Sequence, residues 1–158
     1  MGENFMGLIF RKAIKGDEGQ VLQLINTVLD SYGLKLNTKV EDLDVTDLEK
    51  YYLNNNGDFE VVINNGLIIG SYGIYKINKD TCELRKMYLY EEYQGVGLGN
   101  EMLRNSLTMA KKLGYKKITL QTNSVLGKAL KLYEKFGFEN YVEDVCDRCD
   151  LAMFKSLE

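Results

Sequence analysis

Glu92-Tyr93-Gln94-Gly95-Val96-Gly97-Leu98-Gly99-Asn100 joins an apolar, aromatic run to an amphipathic one, with three alternating glycines at the join. Without Cβ atoms the backbone there turns tightly at positive φ and leaves its N–H groups uncovered. The helix that follows has unpaired first-turn amides and the positive end of its macrodipole, which together suit a phosphate or pyrophosphate. Two standard phosphate loops do not fit. No Lys-Ser or Lys-Thr pair follows the glycines, and Asn100 stands where a dinucleotide fingerprint needs its third glycine.

Outward from the loop, the chain reads as alternating strands and helices. Upstream, Thr81 to Tyr90 is strand-like and turns back at Asn78-Lys79-Asp80 from a run over Leu67–Ile77. Asn64-Asn65-Gly66 joins that run to Phe59–Ile63 as a short hairpin. Downstream, Leu98, Met102, Leu103, Leu107, Ala110 and Leu113 recur at helical steps and stop at Gly114. Lys117–Thr122 is then a β-branched strand, and a strand–helix–strand connection of this length implies a parallel pair.

A last helix runs through Leu126, Ala129, Leu130, Tyr133 and Phe136 to Gly137, with Ser124 able to cap it. Two strands follow near Phe138–Val142 and Leu151–Ser156. At the start, Leu8–Arg11 is a short strand, and Asp17 with Gln20 caps a helix through Val21 to Leu29. Thr46 with Glu49 caps a second helix near Leu48–Tyr52. The sum is one α/β domain over residues 1–158, with a mixed, mostly antiparallel sheet of about seven strands and about four helices.

The spacing Gln-x-x-Gly-x-Gly, met by Gln94, Gly97 and Gly99, resembles the Gcn5-related N-acetyltransferase (GNAT) family. The likeness continues in family order, upstream through Glu83-Leu84-Arg85-Lys86-Met87-Tyr88-Leu89 and downstream through Ala129-Leu130-Lys131-Leu132-Tyr133-Glu134-Lys135-Phe136-Gly137-Phe138. It implies a twisted sheet whose parallel strand pair splays at the cofactor site. It also implies acetyl-CoA as donor, no metal, and direct transfer of an acetyl group in a ternary complex to the primary amine of a small molecule.

The resemblance gives the pyrophosphate to the amides of Gln94, Gly95, Val96, Gly97, Leu98, Gly99 and Asn100. The pantetheine arm falls to main-chain groups of Met87, Tyr88 and Leu89. Tyr133 takes the place of the proton donor to the CoA sulfur, suited to a phenol with a pKa of about 10. Glu83 is the candidate base, working through water, because the chain has no histidine; its alternative is a strand carboxylate paired with Arg85. Many relatives carry an asparagine seven residues before the helix tyrosine, against pantetheine. Here Leu126 stands there, and Asn123 is the candidate substitute.

The acceptor region implied by the family holds Tyr32, Glu41, Asp42, Asp44, Asp47, Tyr51 and Tyr52. Acids and tyrosines suit a cationic amine, but a solvated reading of Glu41 to Asp44 and a helix-start role for Asp47 are preferred. Two rival readings stand beside the enzyme: a non-catalytic acyl-CoA sensor or regulatory module of the same fold, and a nucleotide-phosphate binder of another fold.

Composition bounds these choices. A chain of 158 residues with 45% hydrophobic and 27% charged residues can bury roughly two-thirds of its unfolded surface in one core. No apolar run approaches the ~20 residues of a membrane span. A net charge of −3 without a basic block argues against nucleic acid. Met1 to Gly7 lacks the regions of a secretory signal, so the cytoplasm is the expected location. A homodimer stays open. Cys82, Cys146 and Cys149 are too few for a disulfide framework. Cys146-Asp147-Arg148-Cys149 has no second pair or histidine to complete a zinc site, so no role is assigned to it.

Overall fold

The computed structural model describes residues 7–158, so most of the segment read as lacking a secretory signal, residues 1–6, lies outside the described residues. In chain order the elements are β1 (Leu8–Lys12), α1 (Glu18–Ser31), a 3-10 turn (Leu43–Thr46), a π-helical turn (Glu49–Leu53), β2 (Asp58–Asn64), β3 (Leu67–Lys76) and β4 (Thr81–Leu89). A 3-10 turn (Glu91–Tyr93) leads to α2 (Leu98–Lys112), β5 (Lys117–Thr122), α3 (Gly127–Lys135), β6 (Glu139–Tyr141) and β7 (Leu151–Ser156). The strands form one sheet in the order β1-β2-β3-β4-β5-β7-β6. Every neighbouring pair is antiparallel except β4 with β5. No helix among the described residues is long and apolar enough to cross a membrane.

Each face of the sheet carries its own apolar layer. On one, Val21, Leu24 and Ile25 of α1 and Tyr52 of the π-helical turn pack on Phe59, Val61 and Ile68. On the other, Met102 and Leu103 of α2 and Tyr133 of α3 pack on Val62, Ile69, Leu84 and Ile118. The β2–β3 hairpin closes as its sequence predicts, with Asn65 and Gly66 both at positive φ, 49° and 82°, the geometry that a two-residue primed turn requires. Gly73 admits a close approach, since a Cβ there would stand 2.6 Å from Phe59 and 2.8 Å from Tyr52.

The expected caps are used differently. Asp17 gives α1 no side-chain cap; its carboxylate instead binds Arg11 at 2.8 Å and the Ile14 amide. Gln20 reaches across to accept from the Ile68 amide at 2.8 Å. Thr46 donates back to Leu43 O rather than capping the following turn, where Asp47 accepts from the Lys50 amide at 3.1 Å. Ser124 bonds Asp150 instead of α3. In each case another partner outcompetes the amides of the helix start, a near one for Asp17 and Thr46 and a distant one for Gln20 and Ser124, because polar side chains near a chain reversal reach both.

Two irregularities in β4 shape the molecule. Its pairing with β5 covers only Thr81 with Lys117, Cys82 with Ile118 and Glu83 with Thr119, after which the strands part. Against β3, the register slips between Ser71 and Gly73, so that Lys86 and Met87 together oppose Tyr72. This is a β-bulge, with Lys86 at φ 57° and its carbonyl held by Ser71 Oγ at 2.7 Å.

The bulge aims the Lys86 ammonium at Asp42, 2.8 Å away, and at Glu41 O, 2.7 Å away. Arg148 grips the same carboxylate with two bonds of 2.6 and 2.9 Å. The Asn37 amide completes its coordination at 2.8 Å. Asp42 is fully buried, which overturns the solvated reading of this segment. Beside it Asp44 accepts from Tyr52 Oη and lies 3.5 Å from Lys86 and 3.6 Å from Arg85. This charge cluster ties the segment around Asp42 to β4 and to the loop before β7.

Burial pushes the Asp42 carboxyl up, but Arg148 and Lys86 outweigh it and hold the group at about 2, below the ordinary 3.8. Its folded value is depressed, so its stabilisation is present above about pH 4 and fades as pH falls through about 2. Asp42→Asn is expected to destabilise by roughly 3 kcal/mol at neutral pH, because two buried cations lose their partner. Urea unfolding across the acid limb should show a flatter pH dependence in the variant than in the wild type.

Candidate functional site

Where β4 and β5 part, a cleft of about 670 Å³ opens, and it extends to the glycine loop and to α3. Its position follows from strand geometry. Past Glu83, β4 has no strand on its β5 side among the described residues, and unpaired strand edges offer main-chain groups to an extended ligand. Met87, Tyr88 and Leu89 line the cleft on this edge. The bulge sorts their side chains: Met87 and Leu89 pack with the layer of α2, while Tyr88 packs with the layer of α1.

The loop reaches the same cleft through Gln94, Gly95, Gly97, Gly99 and Asn100. Gly95 and Gly97 stand at φ 83° and 90°, where a side chain would be strained. Gly97 is the N-cap of α2, no side chain caps the helix, and Gly97 O accepts from the Glu101 amide at 3.2 Å. The helix start therefore presents amides and a positive dipole end. Gln94 has a structural task that its place in the motif does not show: its amide donates to Leu89 O at 2.9 Å, fixing the loop to the end of β4. Leu98 sits in the core at 1% exposure, and neither it nor Val96 lines the cleft; their assignment concerns main-chain amides alone.

On the far wall, Tyr133 lines the cleft from α3 and is buried. Its ring meets Phe138 edge-on at 5.8 Å. Burial pushes its phenol up to about 12, so it stays protonated at neutral pH. Asn123 and Leu126 also face the cleft. Asn123 is engaged within the protein: its Nδ2 donates to Arg148 O at 3.0 Å, and its Oδ1 accepts from the Val125 amide at 3.0 Å.

Glu83 stands at the last residue pair before the strands separate and borders the cleft. Its carboxylate accepts from Arg85 Nε, the pairing weighed as its alternative role. Arg85 in turn stacks over Tyr75 at 3.7 Å. Glu83 and Arg85 also border a second, shallower hollow of about 440 Å³ with Thr119, Gln121, Tyr141 and Glu143. Glu83, Arg85 and Gln121 thus border both hollows.

Of the acceptor candidates, Tyr32 and Glu41 line the cleft. Tyr52 is core, and Asp42 and Asp44 belong to the buried charge cluster. Four residues to which the sequence assigns no role contribute here. Lys86 and Arg148 hold the wall together, and Cys146 and Cys149 border the cleft. Their roles depend on partners far along the chain, 44 positions away for Lys86 with Asp42 and 106 for Arg148 with Asp42, and no local spacing encodes that.

Comparison with known proteins bears on this geometry. The family model described as "Acetyltransferase (GNAT) family" matches residues 23–138. An N-acetyltransferase of Escherichia coli strain K12, YjgM, itself uncharacterised, is 29% identical over 137 residues, covering 84% of this chain and 82% of that protein. A GNAT-family acetyltransferase from Staphylococcus aureus Mu50 superposes with a TM-score of 0.89 at 19% identity, over 96% of this chain and 99% of that one. The acetyltransferase yncA from Salmonella typhimurium, solved with acetyl-CoA, superposes at 0.74 and 18% identity, over 96% and 95%. With the family pattern spanning most of the sequence and the same fold in the solved structures, the chain belongs to the GNAT family of N-acetyltransferases and is an acyltransferase.

Proposed function

We propose that the protein transfers an acetyl group from acetyl-CoA to the primary amine of a small molecule, directly, in a ternary complex. The observation that carries this reading is the continuity of one cleft from the glycine loop at the start of α2, along the unpaired edge of β4, to Tyr133. That sequence of groups matches the donor's own order of pyrophosphate, amide-bearing arm and thioester. The solved neighbour yncA holds acetyl-CoA.

Amides from Gln94 to Asn100 bind the diphosphate, and main-chain groups of Met87, Tyr88 and Leu89 pair with the arm in the manner of an added strand. A β4 amide polarises the acetyl oxygen. The amine nitrogen attacks the acetyl carbon, the carbon–sulfur bond breaks, and Tyr133 gives its proton to the departing sulfur. Glu83 takes the amine's proton through water, while Arg85 fixes the carboxylate. The amine enters from the side bordered by Glu41 and Tyr32. Asn123 contacts the arm only if it yields its bond to Arg148, so main-chain groups carry that contact.

Four outcomes test this. Thermal-shift titration should show stabilisation by acetyl-CoA and by CoA but not by ATP; no shift with either CoA species overturns the donor assignment. Gly97→Ala, which forces a Cβ into a left-handed position at a cost of about 1–2 kcal/mol, should weaken that shift.

Tyr133→Phe should lower kcat by about 10²-fold with little change in acetyl-CoA affinity, measured by thiol release over a panel of amines. Full turnover in this variant removes Tyr133 from the chemistry.

Glu83→Gln should slow turnover at neutral pH by about 10²-fold and recover at high pH, where the amine is already neutral. A loss that persists at high pH would count against proton removal by Glu83.

A further inference from the structure

The loop between β6 and β7 holds two thiols for which the acetyl-transfer reading has no use. Cys146 and Cys149 both border the cleft and are partly exposed, whereas Cys82 is buried. Their sulfurs lie 2.6 Å apart, and the Cys149 amide donates to Cys146 O at 2.9 Å, closing a tight turn. The turn is pinned to β5 at both ends, by the Cys146 amide on Gln121 Oε1 at 2.9 Å and the Asp150 amide on Thr122 O at 3.0 Å. Between the thiols sits Arg148, which clamps Asp42 and also donates to Lys35 O at 3.0 Å. The two sulfurs thus face each other directly across the turn, as a disulfide between them requires.

We propose that Cys146 and Cys149 are a redox-active dithiol that small-molecule disulfides convert to an intramolecular disulfide, and that the closed ring latches Arg148 on Asp42. Cys146 loses its proton and attacks one sulfur of the incoming disulfide; that disulfide breaks, and one small thiol leaves carrying the proton. Cys149 then attacks the Cys146 sulfur, its own proton leaving with the second small thiol. Two thiol hydrogens and one electron pair have passed to the oxidant, which is reduced to two thiols.

The order follows from the surroundings. Burial, with Cys146 beside it, pushes the Cys149 thiol up to about 12, so it waits as the resolving group. Once Cys146 is bonded to the oxidant, its contribution to that upward push is gone, while Arg148 still favours the Cys149 thiolate. Oxidation preserves the turn already present and removes its freedom to open, so the Arg148 side chain is held where it already grips.

The test uses the full chain and glutathione disulfide, without acetyl-CoA, so its failure is separable from failure of the acetyl-transfer reading. Intact mass after denaturing alkylation should show two of the three cysteines protected, and all three restored by dithiothreitol. Cys149→Ser should stop as a glutathione adduct on Cys146. A wild type that keeps three alkylatable thiols, or that accumulates only the adduct, overturns the dithiol. Hydrogen exchange at the amides of Asn37 and Asp42, bonded within the clamped segment, should slow by about tenfold on oxidation, the scale of closing a four-residue ring. Exchange that is unchanged or faster overturns the latch. Both readouts apply to the wild type alone, so the proposal stays testable if a serine variant does not fold.

Discussion

Strand β4 leaves its parallel neighbour after three residue pairs, and the usable surface of the protein follows from that separation. A strand interior normally satisfies its main-chain groups on both sides, and leaving one side open is costly unless something binds there. The bulge at Lys86 supports the parting. It twists the strand, re-aims the side chains beyond it, and turns an ammonium into the space between the sheet and the segment from Leu34 to Asp47. The cleft is thus a gap built into the sheet rather than a hollow between loops.

A gap in a sheet needs walls that hold without a ladder, and this protein uses charge for that. Asp42 is fully buried, yet it is bonded to Lys86, Arg148 and the Asn37 amide. Each partner comes from a different part of the chain. Buried ion pairs add little net stability compared with apolar packing of the same volume, but they fix geometry, because one misplaced member leaves the others unpaired at a cost of several kcal/mol. Such a cluster suits the rim of a cleft, where apolar side chains would favour collapse. Arg85 extends it toward the proposed reaction zone, held by Glu83, Asp44 and the face of Tyr75.

The two layers on either side of the sheet divide the work. The layer of α2 and α3 carries the glycine loop and Tyr133, where the proposed donor contacts concentrate. The layer of α1 and the turns after it carries Tyr32, Glu41 and the charge cluster, beside which an acceptor would lie. Glu83, at the seam, borders both hollows. Placing the carboxylate there makes the ion pair with Arg85 part of the site as well as part of the wall.

Periodicity and turn residues in the sequence determined the architecture. Helical steps in Leu98 to Leu113 identified α2, Asn65-Gly66 identified the hairpin, and the spacing of Gln94, Gly97 and Gly99 identified the loop. These are local signals, carried by backbone preferences that act over a few residues, and they survive without knowledge of the rest of the chain. The tertiary structure decided what local signals do not contain. It placed Asp42 in the interior, because charges from Lys86 and Arg148 meet it there. It assigned Asp17, Gln20, Thr46 and Ser124 to partners other than helix caps. It set the bulge that reverses the alternation after Arg85, and it brought Cys146, Cys149 and Arg148 to the cleft. For Gln20, Asp42, Ser124 and Arg148 the stabilising partner is distant in sequence, so the energy that fixes the residue exists only once the chain has folded around it.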